Sequence, residues 1–165
     1  RIPSVYAESS NGRVAPRFYI RGLGNTDFDL AASQPVSIIM DDIVQENVIL
    51  KSFPLFDVQQ VEIARGPQGT LFGRNTTGGA VVINTGSPTD DVTWGARYTF
   101  EGPMDEDRGG NSHTVQAYVS GPIVEDVLNG RLSMYREDDD GYFTNLFDGS
   151  QPGANAATII HGSLE

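Results

Sequence analysis

From residue 93 onward, apolar and polar residues alternate with a period of two. In Thr93–Glu101 the even positions are Trp94, Ala96, Tyr98 and Phe100, against Thr93, Gly95, Arg97, Thr99 and Glu101. Residues 113–123 carry Val115, Ala117, Val119 and Ile123 on one side. Residues 131–135 set Leu132 and Met134 against Arg131, Ser133 and Tyr135, and residues 158–165 set Ile160 and Leu164 opposite His161, Ser163 and Glu165. Successive side chains of a strand point to opposite faces, so the pattern predicts four strands with one apolar face each. The predicted connections alternate in length: 102–112 long, 124–130 short, 137–157 long. A soluble antiparallel sheet with one dry face reads this way, and so do the strands of a transmembrane barrel, at about 9–11 residues each. Period two alone does not separate them.

The first half is less regular. Residues 18–21, 36–41, 60–64 and 81–85 are rich in strand formers, with Val61 and Ile63 sharing a face. Asp41-Asp42 predicts a hairpin turn joining residues 36–40 to 43–44. Pro54-Leu55-Phe56-Asp57 and residues 67–72 predict single helical turns, each opening at or near a proline. Together these describe a compact α+β unit around a small sheet.

Composition bounds the picture. The 165 residues include 19 glycines and no cysteine, which favours short strands and many turns and excludes disulfides and thiolate metal sites. No apolar run reaches the roughly 18 residues of a membrane helix, and Arg1-Ile2-Pro3-Ser4 carries no signal peptide. Charge divides the chain: residues 1–85 hold seven Lys/Arg against eight Asp/Glu, whereas residues 86–165 hold four against fourteen. Such acidity argues against nucleic acid as a partner. The step predicts two regions, 1–88 and 89–165, joined through the linker-like Gly86-Ser87-Pro88-Thr89-Asp90-Asp91. Twelve of the fourteen later acids, Glu137–Asp140 among them, fall between the predicted strands.

Reactive chemistry finds little footing. The glycine-punctuated run from Gly66 to Gly79 lacks the Gly-Lys-Ser/Thr of a phosphate loop, and Gly22-Leu23-Gly24 meets Asp27 where a dinucleotide site needs glycine. His113 and His161 lie 48 residues apart without a metal-binding partner spacing, and there is no Gly-x-Ser-x-Gly elbow. Asp105-Glu106-Asp107 and Asp138-Asp139-Asp140-Gly141 could take calcium but lack an EF-hand pattern, so solvated loop charge is the simpler reading. As strand neighbours Asp41 and Asp42 would point to opposite faces and could not easily share a substrate atom, so the hairpin turn is the better reading. The sequence therefore assigns no catalytic residue, no metal ligand and no cofactor; a hydrolase built on the acidic clusters is the weakest alternative.

Four blocks decide between the remaining readings. They are Phe18-Tyr19-Ile20-Arg21-Gly22-Leu23-Gly24, Pro35-Val36-Ser37-Ile38-Ile39-Met40-Asp41, Leu55-Phe56-Asp57-Val58-Gln59-Gln60-Val61-Glu62-Ile63, and the run from Arg65-Gly66-Pro67-Gln68-Gly69-Thr70-Leu71-Phe72-Gly73-Arg74-Asn75 through Gly78-Gly79-Ala80-Val81-Val82-Ile83-Asn84. In this order they resemble the plug domain of TonB-dependent outer-membrane receptors, and Val119-Ser120-Gly121-Pro122 with Arg136-Glu137-Asp138-Asp139-Asp140-Gly141-Tyr142 looks like the family's first barrel hairpins. The resemblance implies an α+β plug domain with a small mixed sheet (1–88), truncated at its N-terminus. After it come roughly the first four antiparallel strands of an incomplete transmembrane β-barrel (89–165). It implies a fragment of a receptor in the bacterial outer membrane that imports a scarce ligand such as a ferric siderophore, cobalamin or glycan, without enzymatic chemistry. The partners it implies are the TonB complex, through an N-terminal peptide upstream of Arg1, outer-membrane lipid, and a small-molecule or metal-chelate ligand. Arg21 and Arg65 match the plug arginines that pair with the inner barrel wall. Gln45 and Asn47, in the loop 45–51, and Gly73, Arg74 and Asn75 match loops that face the ligand. A soluble β-rich module binding extracellular ligands is the alternative from another class.

Overall fold

The computed structural model describes residues 3–8, 17–24, 34–45, 54–102, 110–141 and 145–165. The chain divides into two compact units, Arg1–Thr85 and Gly86–Glu165.

In the first unit, strands β1 (Val5–Glu8) and β2 (Arg17–Ile20) form an antiparallel pair. A second sheet contains β3 (Val36–Met40), β4 (Ile43–Gln45), β5 (Val58–Arg65) and β6 (Gly79–Thr85), in the order β4-β3-β6-β5. β3 and β6 run parallel at its centre, while β4 and β5 are antiparallel edges, so the sheet is mixed. Central parallel strands are covered on both faces. That accounts for the near-continuous apolar Val-Ser-Ile-Ile-Met of β3, buried at Val36, Ser37, Ile38 and Ile39. Ile20, Val36, Ile38, Val81 and Ile83 form the core, with Val5, Phe18, Met40 and Ile63 packed against it.

Asp41 and Asp42 make the expected two-residue hairpin turn, both with positive φ (46° and 65°), as a type I′ connection requires. Only one helix is found among the described residues, α1 (Gly69–Phe72), so the helical share of the α+β expectation shrinks to a single turn. The second expected helical turn is absent: residues 54–56 are irregular, and Asp57 adopts φ 53°, which a right-handed turn cannot contain. β5 begins immediately after it and is longer than predicted.

The second unit is one four-stranded antiparallel meander of β7 (Thr93–Glu101), β8 (Ser112–Val124), β9 (Leu128–Asp139) and β10 (Asn155–Leu164), in chain order. It is an open sheet, with β7 and β10 at its edges. The prediction for β9 was short by several residues at each end. Glu137, Asp138 and Asp139 lie inside this strand rather than in a loop, because alternation sends Glu137 and Asp139 to the buried face and Asp138 to the exposed one. The β8–β9 turn is only Glu125-Asp126-Val127. Residues 86–91 are tied down within this unit. The Thr89 amide and hydroxyl both donate to Ser120 Oγ, at 3.0 Å each, and Asn129 Nδ2 donates to Asp90 at 2.8 Å. Gly86 lies against the Arg131 guanidinium, which stacks 4.0 Å from the centre of the Tyr118 ring.

Candidate functional site

The glycine-rich run forms a closed loop that leaves β5 and returns as β6. The Gly66 amide donates to the Gly78 carbonyl (3.2 Å) and the Gln68 amide to the Thr76 carbonyl (3.0 Å), zipping the two limbs together. α1 caps the excursion and ends at Gly73, whose φ of 73° and ψ of −152° suit glycine alone. Thr76 is fully buried and donates to the Gly73 carbonyl at 2.7 Å; Ser37 Oγ donates to the Asn75 carbonyl, also at 2.7 Å. The loop is thus fastened to the start of β3.

The Gly78-Gly79 pair is where distant segments meet. Gly79 has φ 146°, and a Cβ there would lie 2.4 Å from the Ala64 carbonyl oxygen and 2.7 Å from Ile20 Cδ1. A Cβ on Gly78 would come within 3.1 Å of Leu23 Cβ and of the Pro35 carbonyl oxygen. Ile20 and Leu23 bracket Arg21-Gly22, while Ala64 precedes Arg65-Gly66. The two Arg-Gly turns, 44 positions apart in sequence, therefore converge on one glycine pair. Arg21 lies just beyond β2, exposed, at φ 53°, its amide donating to the Ser4 carbonyl at 2.8 Å. Arg65 is the exposed last residue of β5, opposite Gly79.

The ligand-loop candidates share this end of the sheet in part. Gln45 pairs with Ile38, next to the Ser37 that holds Asn75, and Gly73 and Arg74 precede Asn75 in the same loop. Arg74 is exposed and Asn75, at φ 71°, half-buried. Asn47 and the rest of loop 46–51 lie outside the described residues. At the opposite end, the Asp41 carboxylate accepts from the Thr85 amide (2.8 Å) and hydroxyl (3.0 Å), closing β3 onto the last residue of β6. Sequence reasoning passed over this Asp41–Thr85 contact, and also over Ser37 and Thr76; nothing local in the chain marks them as partners.

Among the described residues two ionisable groups are displaced. Burial, then the hydrogen bond to Glu8 and its charge, raise the Tyr19 phenol above its ordinary value; its hydroxyl donates to Glu8 at 2.9 Å. In the 145–154 segment, hydrogen bonds from the Ser150 hydroxyl and amide lower the Asp148 carboxyl.

The second unit presents two unlike faces. Across β7, β8, β9 and β10 one face reads in rows: Trp94, Val119, Leu132, Gly162; then Ala96, Ala117, Met134, Ile160; then Tyr98, Val115, Arg136, Thr158; then Phe100, His113, Asp138, Ala156. Its large apolar side chains, with Ile123 and Leu164, are between 36% and 76% exposed. The opposite face carries Ser112, Ser120, Ser133, Glu137 and Asp139, all buried, and Tyr135 at 6% exposure. Water would favour the reverse, since apolar area out of water stabilises and buried polar groups cost unless paired. A contiguous apolar face of this size marks a lipid or partner surface, and apolar-out with polar-in is the arrangement of a membrane barrel wall.

Comparison with known proteins agrees. Residues 1–80 match the TonB-dependent Receptor Plug Domain. The pesticin receptor of Yersinia pestis is 33% identical over 162 residues, 96% of this chain but 22% of that receptor's length. The crystal structure of the ferric yersiniabactin uptake receptor FyuA from Yersinia pestis superposes with a TM-score of 0.76 at 28% identity, covering 99% of this chain and 24% of its own. A probable TonB-dependent siderophore receptor of Acinetobacter baumannii, PirA, is 33% identical over 79 residues, 48% of this chain and 10% of its own length. The chain thus spans about a fifth to a quarter of the first two relatives.

Proposed function

We propose, from the premise that the chain belongs to the TonB-dependent outer-membrane receptors, that it is the plug and first wall strands of a receptor importing a ferric siderophore across the bacterial outer membrane. The observation that carries this is the inverted second unit, apolar where exposed and polar where buried, following directly on a plug domain. Uptake of ferric yersiniabactin by FyuA and the siderophore-receptor name of PirA support this ligand class. Import would be driven through TonB, engaged by a peptide upstream of the plug.

Within the plug, Arg21 and Arg65 would dock against the barrel wall; that both are exposed and both belong to turns seated on Gly78-Gly79 supports this role. Gln45, Asn47, Gly73, Arg74 and Asn75 would meet the ligand, with Arg74 supplying charged donors for an anionic chelate. The test is uptake of ⁵⁵Fe-loaded yersiniabactin and a panel of other siderophores by cells carrying the full-length receptor, with and without a functional TonB. TonB-dependent accumulation of at least one ferric siderophore is expected, and Arg74→Glu should reduce it roughly tenfold at unchanged surface abundance, the loss of one charge-assisted contact. A receptor that stays in the aqueous fraction without detergent would instead be a soluble binding module. Arg21→Ala with Arg65→Ala should raise permeability to normally excluded antibiotics; an unchanged barrier would remove their docking role.

A further inference from the structure

The exposed face of the second unit changes character along its strands, and this deepens the barrel-wall reading on which it rests. The Trp94 and Ala96 rows carry no charge and, apart from the indole N–H, no polar side-chain group. In the next two rows polar groups crowd in and hold one another. Arg136 donates to Thr158 Oγ1 (2.8 Å) on β10 and to Asp138 Oδ2 (2.9 Å) further along its own strand. The Tyr98 hydroxyl bonds His113 Nδ1 at 2.7 Å, and the Phe100 ring lies 5.1 Å from the His113 ring.

We propose that Tyr98, Phe100, His113, Arg136, Asp138 and Thr158 form a collar that meets the polar headgroups of the outer leaflet, and that on β8 the hydrocarbon ends between Val115 and His113. The Arg136–Asp138 pair is the strongest marker. Its side chains are 48% and 63% exposed, and an exposed ion pair is costly at the bilayer centre but nearly free at the interface. Arg136 lays its guanidinium toward Asp138, away from the apolar rows, as a cation does when it reaches for the headgroup layer. Tyr98 and His113 supply rings with a polar edge, the chemistry of an interfacial belt.

Dimensions agree independently. From Ile123 to Val115 on β8 is eight residues, about 27 Å of strand and roughly 20 Å along the membrane normal at a barrel tilt near 40°. Reaching His113 takes about 26 Å, so a 25 Å apolar band starting at Ile123 ends between these two rows. Orientation agrees as well. The connections leaving this end, 102–111 and 140–154, are long, and the three-residue Glu125-Asp126-Val127 turn is at the other, as for outer and periplasmic sides. Donors and acceptors held side by side suit headgroups that offer both hydroxyls and phosphate oxygens.

Nitroxide labels placed singly at Met134, Asp138 and Ala156 of the full-length receptor, in outer-membrane lipid, test this through collisions with oxygen and with a water-soluble nickel chelate. Met134 should favour oxygen. Asp138 and Ala156, cross-strand partners within about 3 Å of one depth at that tilt but only one in the ion pair, should each favour nickel severalfold more than Met134 does. If all three favour oxygen, the collar is overturned while the barrel wall stands. If all three favour nickel, the face does not meet lipid and the underlying reading falls with it.

Discussion

The two units turn their apolar strand residues in opposite directions. In the plug sheet Val36 and Ile38 of β3 and Val81 and Ile83 of β6 turn inward and form a buried core with Ile20. In the meander the apolar side chains of β7–β10 turn outward, and Ser133, Glu137 and Asp139 are the buried ones. Apolar burial stabilises only relative to the surrounding solvent. A face that would aggregate in water is satisfied by lipid, whose tails are as apolar as leucine. The pair of units shows that a near-continuous apolar run marks a strand covered on both faces, that alternation reveals a two-faced one, and that the solvent on each side decides which face is the interior.

The largest way to break the comparison is to separate the units. Residues 86–165 expressed alone should aggregate or remain unstructured in water, because two open edges and an exposed apolar face leave no closed core. A monomeric product with a cooperative melting transition in buffer would show the face needs no lipid.

Next come matched truncations. Ile38→Ala in the plug core should cost about 2–5 kcal/mol, the usual loss at a buried isoleucine. Ile160→Ala on the outward face should cost under about 1 kcal/mol, since lipid fills the vacated space. Denaturant unfolding of the detergent-solubilised receptor, with hydrogen exchange to localise each effect, compares them; equal costs would mean both side chains are interior.

A smaller effect is expected at the plug's far end. Asp41→Ala removes both bonds to Thr85 and should weaken that closure by about 1–2 kcal/mol, read as a roughly 5- to 30-fold faster opening of the Thr85 amide. Unchanged exchange would mean the β3–β6 ladder alone holds this end.

The smallest concerns the 145–154 segment. Ser150→Ala should raise the Asp148 pKa toward its ordinary value, measurable by NMR titration, because the hydroxyl is the leading cause of its depression. A depressed carboxyl adds stability above its unfolded pKa and loses it as pH falls through the folded one. The wild-type advantage therefore exists at neutral pH and fades only under strong acid.

Much was legible in the chain before folding. β7 was bounded correctly because nothing interrupts its alternation, and Asp41-Asp42 read as a turn because short polar residues tolerate positive φ. The four blocks specified the plug, whose turns demand particular glycines at particular places. The ends of β9 were missed because Glu137-Asp138-Asp139 looks like a solvated loop, and only a polar interior makes a strand of it. The helical turn at residues 54–57 failed for a related reason: proline suggests a helix start, but the left-handed Asp57 turns the chain into β5 instead.

The sequence by itself determined that the second unit is built of two-faced strands and that the first carries the plug signature. Both are local properties, set by side-chain period and backbone permission. Only the tertiary structure decided which face is outside, since period two is symmetric until something covers one side. Likewise, only the fold brought Arg21-Gly22 and Arg65-Gly66 together on Gly78-Gly79, and the Asp41 carboxylate to Thr85. Both meetings span 44 positions of the chain, Arg21 and Arg65 through the glycine pair their turns share and Asp41 with Thr85 directly, and no short-range pattern encodes either.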